Sequence, residues 1–216
     1  MTKTDVPKLA LIEPTNPLLN SVAEAVKPEE IASPEVQGII DRMLTLSAGK
    51  GHSKKDSRQM VGLAAPQLGV AKRIITIDLT ADGSNKEQHL QVFINPKITH
   101  RSAETTPGRE GCWSCGSICG NVERSKRVTL EGLDRNGNPI NFELTDFVAR
   151  IAQHETDHLE GIRFPDRIPI EAPDRLHWVK PVEFEDYRKN WQHWPVLCPR
   201  ERWEALKAGS YPAFTQ

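Results

Sequence analysis

The apolar positions fall into two periodicities that divide the chain between helix and strand. Over Pro34–Ser47, the residues Ile39, Ile40, Met43 and Leu44 share one face at helical spacing, and Pro34 suits a first turn. This spacing predicts a core-packing helix. Residues 9–18 are apolar but broken by two prolines, so they read as an extended segment packed on the body. A short helix is expected over residues 19–26. The middle of the chain alternates as strands do. Strands are expected over residues 73–79, 89–94 (stopped by Asn95-Pro96), 98–103, 124–133 and 139–144. Asp134-Arg-Asn-Gly137 joins the last two as a hairpin turn. Asp82-Gly83 reads as a turn, residues 48–59 as an exposed mobile loop, and residues 104–108 as a polar loop.

A second helical pattern begins at Thr145 or Asp146, either of which can cap it, and stops at Gly161. Phe147, Ile151, His154 and His158 recur at steps of four, three and four. Two imidazoles therefore lie on the apolar side of this helix. The fold class that follows is α+β: mainly antiparallel sheets around one largely buried central helix. Residues 1–8 read as a disordered lead. The region after Pro169 holds four of the five tryptophans, Trp178, Trp191, Trp194 and Trp203, with short helices expected over 183–191 and 199–208. Aromatics in a proline-broken tail imply packing against the body, so no second domain is assigned.

Composition narrows the class of function. With 28 Lys plus Arg against 29 Asp plus Glu, no basic field points to nucleic acid. No apolar run approaches the ~20 residues that cross a bilayer, and the first residues lack an apolar signal core. A cytoplasmic location is expected, with an organelle left open, and no membrane or specific nucleic-acid partner. Three of the four cysteines (Cys112, Cys115, Cys119, with Cys198 apart) lie close together. In a reducing compartment such clustering reads as metal binding or catalysis.

His154-Glu155-x-x-His158 carries the candidate chemistry. Residues four apart on a helix can bind one ion, and a glutamate beside the first can reach a water on that ion. Against this stands a helix with two unrelated surface histidines. Three metal readings compete. An extended protease pattern needs a histidine where Phe164 stands; Glu183 or Glu185 remain as distant ligands. A structural zinc site would join Cys112 and Cys115 to both histidines and leave Glu155 idle. A catalytic site would take one cysteine, with Cys112 in Glu110-Gly-Cys-Trp-Ser114 as candidate, and keep a position open. Gln67, the polar residue in Met60-Val-Gly-Leu-Ala-Ala-Pro-Gln-Leu-Gly69, is either a turn residue or an amide donor aimed into a site.

Three stretches in order, Gly62-Leu-Ala-Ala-Pro-Gln67, Glu110-Gly-Cys-Trp-Ser114 and Gln153-His-Glu-Thr-Asp-His-Leu159, resemble the signature of the peptide deformylase family. The resemblance covers roughly residues 9–169, a catalytic domain, with 170–216 as a Trp-rich extension packed on it. It implies a metal-dependent hydrolase that removes the N-formyl group from the N-terminal formyl-methionine of new polypeptides, on chains still at the ribosome or just released. Cys112, His154 and His158 match the family's metal ligands, for Fe(II) natively and with Zn(II) or Ni(II) able to replace it. Glu155 matches the general acid/base acting on a metal-bound water. Gln67 and the backbone N–H of Trp113 match the donors to the formyl oxygen. Val61, Gly62 and Gly111 match positions binding the substrate backbone, and Phe147 and Ile151 match the wall of the methionine pocket. Met60, Trp113 and the segment Cys115-Gly-Ser-Ile-Cys119 depart from the family pattern, as does the long tail. The alternatives are a related hydrolase of another N-formyl or N-acyl compound, and a non-catalytic metal-stabilised binding protein.

Overall fold

Pro34–Ser47 is the helix that its periodicity predicts. In the computed structural model, which describes residues 9–50, 59–82 and 87–210, it is α2, preceded by the single turn α1 (Pro28–Ile31). Ser33 caps α2 by accepting from the Val36 N–H at 3.2 Å, and Pro34 occupies the first position, where no N–H is needed. Its inner face is Val36, Ile39, Ile40, Met43 and Leu46; Leu44 is half-buried at its margin.

That face packs on a five-stranded antiparallel sheet ordered β1-β2-β3-β6-β7: β1 (Gly62–Ala64), β2 (Ile74–Asp78), β3 (Leu90–Arg101), β6 (Arg127–Leu133) and β7 (Pro139–Thr145). Along β2 the residues alternate between two covers. Ile74 joins the α2 core, while Ile75 and Ile77 join the core under the histidine helix, α3 (Asp146–Leu159). A strand covered on both faces is buried along its whole length, and all five β2 residues are; its polar Thr76 is bonded to Ser47 of α2 at 3.0 Å. A second, three-stranded sheet is ordered β4-β5-β8: β4 (Thr105–Gly111), β5 (Ile118–Ser125) and β8 (Leu176–Trp178). The α3 helix bonds to the end of β5 as well: Gln153 Nε2 donates to the Ser125 carbonyl at 2.9 Å. Two short helices follow, α4 (Phe184–Asn190) and α5 (Arg200–Lys207). In the tail, Trp203, Leu206 and Cys198 share a core with Cys115, Ile118, Val122, Phe164 and Ile168.

Several expectations are corrected. Residues 19–26 form no helix: a 3-10 turn at Pro17–Asn20 gives way to extended chain. The Ala23 and Glu24 N–H groups donate to Leu159 and Ala71, and the Glu24 carbonyl accepts from Arg73, so distant partners satisfy this backbone. Asn95-Pro96 does not stop a strand. Asn95 takes φ +52, its side chain bonds both main-chain groups of Val26, and the chain continues through a bulge as one strand to Arg101. Residues 104–108 are not a loop but largely edge strand β4, polar because one side lacks a partner strand. Arg124 belongs to β5, which ends at Ser125, so the expected strand 124–133 is two. Strand β8 was not expected. The hairpin at Asp134 stands, with Asp134 accepting from the Asn136 and Asn138 N–H groups. The expected lead at 1–8 and most of the loop at 48–59 lie outside the described residues, as does Gly83 of the Asp82-Gly83 turn.

Candidate metal centre

Helix α3 supplies half of the site. It starts after Thr145, whose side chain makes no capping bond, and the Glu160 C-cap leads to Gly161 at φ +67. Glycine is required there twice over, because a Cβ would stand 2.6 Å from the Asn20 carbonyl. One helical turn apart, the His154 and His158 rings meet edge to face with centroids 5.0 Å apart. His154 also stacks on Phe164. Its Nδ1 is bonded to Glu110 Oε2 at 2.9 Å, which leaves Nε2 directed away from that carboxylate.

Cys112 comes from the other direction, at the end of β4, where the chain enters a 3-10 turn (Trp113–Cys115). Its sulfur lies 3.3 Å from His158 Nε2. The Cys112 thiol and the two imidazoles place their ligand atoms within 4.8 Å of one another. Ligands on a four-coordinate ion with bonds of ~2.0–2.3 Å stand about 3.5 Å apart, so this triangle fits one first-row divalent cation. The donor chemistry agrees: a hydrogen bond from the Cys115 thiol, with the charge of His158, holds the Cys112 thiol well below its ordinary range. Cys115 is buried and lies outside the group of ligand atoms that Cys112 forms with the two histidines, so the four-ligand Cys-Cys-His-His site is not assembled.

Gln67 is both things the sequence allowed. It sits in a 3-10 turn (Ala65–Leu68), and its amide is aimed. Oε1 accepts from the Ala64 N–H at 2.8 Å; Nε2 is thereby turned toward Cys112 Sγ and Ser114 Oγ, each at 3.3 Å. Glu155 is buried and its Oε2 has no protein hydrogen-bond partner. Burial raises its carboxyl to about 7, against the lowering effect of both histidines. Gly62 on β1 lies so close that a Cβ there would stand 2.4 Å from Glu155 Oε1 and 2.7 Å from Ile151. The structure thus gathers Gly62, Gln67, Cys112, Ile151, His154, Glu155 and His158. Gly111 immediately precedes Cys112, with Cys119 Sγ at 3.1 Å from where a Cβ would stand. Val61 rests on the α3 core, and Trp113 sends its indole N–H to the Ile12 carbonyl at 3.3 Å. Phe147 stands apart from the triangle, about 10 Å along the helix from His154, against the sheet core.

A buried charge network behind the site was only half legible. Glu110, two residues before Cys112 in its motif, is the centre of that network. Its two oxygens accept from Arg124 Nε and Nη2 at 2.9 and 3.0 Å and from Arg150 Nη1 at 2.9 Å. Burial pushes the Glu110 carboxyl up, but the bonds from His154 and Arg124 outweigh it and hold the group far below the carboxylate range. Arg124 also reaches Asp157 at 2.6 Å, and Arg167 pairs with Asp157 from outside. Arg163, fully buried, donates to the carbonyls of Pro14 and Ser114 and so ties down the Cys112 turn. Arg150 and Asp157 carried a signal, being charged residues about two turns apart on a helix otherwise expected to be buried.

A soft thiolate with two imidazoles and a buried carboxylate next to them characterise a mononuclear metal-dependent hydrolase. The comparisons narrow this class. The polypeptide deformylase family model matches residues 9–173. The chain is 38% identical over 164 residues to peptide deformylase 2 of Gloeobacter violaceus, covering 76% of this chain and 84% of that one. It is 48% identical over 107 residues to the peptide deformylase of Syntrophomonas wolfei, a match spanning 50% of this chain and 65% of that relative's length. Among solved structures, the Met-Ala-Ser-bound class I type b peptide deformylase of Acinetobacter baumannii superposes with a TM-score of 0.65 at 32% identity, over 76% of this chain and 99% of that one. The chain belongs to the peptide deformylase family, enzymes that remove the N-formyl group from new polypeptides.

Proposed function

We propose that this protein deformylates the N-terminal formyl-methionine of newly made polypeptides in the cytoplasm, as they leave the ribosome, with Cys112, His154 and His158 holding one divalent ion. Fe(II) is the expected native ion, with Zn(II) or Ni(II) able to replace it, since a thiolate with two imidazoles suits all three. The observation that carries the reading is the buried Glu155 carboxylate, with its unpartnered Oε2, on the same helix as both imidazoles of the triangle. A structural site has no use for it. When bound, the ion acidifies a water toward pKa ~7 and polarises the formyl oxygen.

The chain's own groups do the rest. Glu155 accepts a proton as water attacks the formyl carbon, then passes it to the leaving amine. Gln67 Nε2 and the Trp113 N–H donate to the oxygen as it gains charge. Edge strand β1, with Val61 just before it, and the end of edge strand β4 offer the main chain of Val61, Gly62 and Gly111 to an extended peptide. Ile151 and Phe147 form the apolar wall for the methionine side chain.

The test is turnover of formyl-Met-Ala-Ser by the Fe(II) or Ni(II) protein under anaerobic conditions, with acetyl-Met-Ala-Ser as control. Glu155→Ala is expected to lose at least ~10²–10⁴-fold in kcat while metal content by mass spectrometry is unchanged. Cys112→Ala is expected to lose the metal. Wild-type rates in Glu155→Ala, or hydrolysis of the acetyl peptide alone, would overturn the assignment.

A further inference from the structure

Three thiols stand in or beside the metal triangle, and deformylation uses one. Cys115 follows Cys112 by three residues across a tight turn: its N–H donates to the Cys112 carbonyl at 3.0 Å. A turn closed by such a bond brings its end Cα atoms within about 7 Å, and disulfides span ~4.4–6.8 Å. All four cysteines are free. Their exposure is unequal: Cys112 is half-buried while Cys115 is fully enclosed. A small oxidant therefore meets Cys112 first.

We infer that Cys112 and Cys115 are a reversible redox site, which a peroxide closes to a disulfide and thereby withdraws the Cys112 sulfur from the metal triangle. The Cys112 sulfur attacks one peroxide oxygen; the O–O bond breaks, water leaves, and Cys112 becomes a sulfenic acid. The Cys115 sulfur then attacks the Cys112 sulfur, the S–O bond breaks, and a second water carries off the hydroxyl and the Cys115 proton. Two thiols are oxidised by two electrons and one peroxide is reduced to two waters. Without Cys115, the sulfenic acid continues to sulfinic and sulfonic acids, which thiols do not reverse. The dithiol thus limits damage at the site's one sulfur ligand. The effect on metal binding rests on the proposed ligand role of Cys112; disulfide formation does not.

The test uses the full chain, zinc-loaded or chelator-treated, as wild type, Cys115→Ser and Cys115→Ala. Each is treated with hydrogen peroxide, mapped by peptide mass spectrometry, and followed by zinc release to a chromophoric chelator. Wild type is expected to yield a Cys112–Cys115 disulfide, to lose its zinc as the disulfide forms, and to regain zinc binding after dithiothreitol. Bound zinc is expected to slow disulfide formation, because metal and oxidant compete for one sulfur. Both Cys115 variants are expected to accumulate sulfinic and sulfonic Cys112 and to recover no zinc binding. A Cys112 link to Cys119, direct over-oxidation of wild type, or full recovery in the variants would overturn the inference. Disulfide formation in a chain that never binds zinc would uphold the dithiol and instead fail the metal reading.

Discussion

The two long faces of α3 are buried by different means. Toward the five-stranded sheet, Ala149, Ile151 and Ala152 meet Ile75, Ile77, Phe93 and Leu130 in an apolar core. Toward β4 and β5, Arg150, Gln153 and Asp157 are buried as well, yet each is polar and each is bonded. His154 links the two: its helix position comes from the apolar side, and its ring orientation from Glu110 on the polar side. Apolar burial is non-directional and tolerates small shifts. Ion pairs and hydrogen bonds at 2.6–3.0 Å fix direction. The apolar face thus holds the helix in the fold, and the charged face sets how it presents its ligands.

The largest effect that would break this division is Glu110→Ala. It takes the shared carboxylate from Arg124, which keeps Asp157, and from Arg150, which keeps the Thr106 and Val122 carbonyls, and it frees the His154 ring. Removing one partner of a buried ion pair costs ~3–5 kcal/mol, and losing a carboxylate behind a metal-bound histidine costs ~10–100-fold in metal affinity. Urea denaturation and zinc titration read the two separately. Equal zinc affinity in the folded variant would show that the charged face does not orient the site. Ile151→Ala sharpens the contrast from the other side. It is expected to lose ~2–5 kcal/mol while keeping zinc affinity, because no ligand's hydrogen bond involves Ile151.

Gln153→Ala comes next, at ~1–3 kcal/mol, since it leaves the main-chain groups of Ser125 without their side-chain partner. Hydrogen exchange at the end of β5 is expected to rise in this variant and to stay level in Ile151→Ala. The smallest effect lies away from α3. His177 is buried, and desolvation lowers its pKa from the ordinary 6.5. Its folded pKa lies below the unfolded one, so the unfolded chain binds more protons as pH falls. The stability that His177 contributes is present above about pH 6.5 and is lost as pH falls below it. Against His177→Gln, the wild-type Tm is expected to lose ground on acidification from neutral pH to pH 5. Parallel pH profiles would show that His177 is not held neutral.

Much of the site is local in origin and was legible for that reason. His154, Glu155 and His158 are one helical turn, and 3.6 residues per turn place them on adjoining faces whatever the rest of the chain does. The α2 helix and the Asp134 hairpin are likewise written in short-range patterns, a cap, a proline and a turn. By contrast, neighbouring residues gave no sign that residues 104–108 would pair with β5, or that Asn95-Pro96 would bend a strand instead of ending it. Those outcomes depend on partners far along the chain.

Sequence alone therefore determined the ligand types, the spacing on α3, the α+β class and, through three motifs in order, the family. Tertiary structure decided what surrounds them. It selected Cys112 over a four-ligand set with Cys115, since the Cys112 sulfur reaches the imidazoles while Cys115 is buried outside that group. It gave Gln67 its aim through the Ala64 N–H, and it gathered Glu110, Arg124, Arg150 and Asp157 from β4, β5 and α3 into one network. The physical reason is range. Helix periodicity and turn chemistry act over a few residues, whereas burial and ion pairing act on whatever the closed fold brings within a few ångströms.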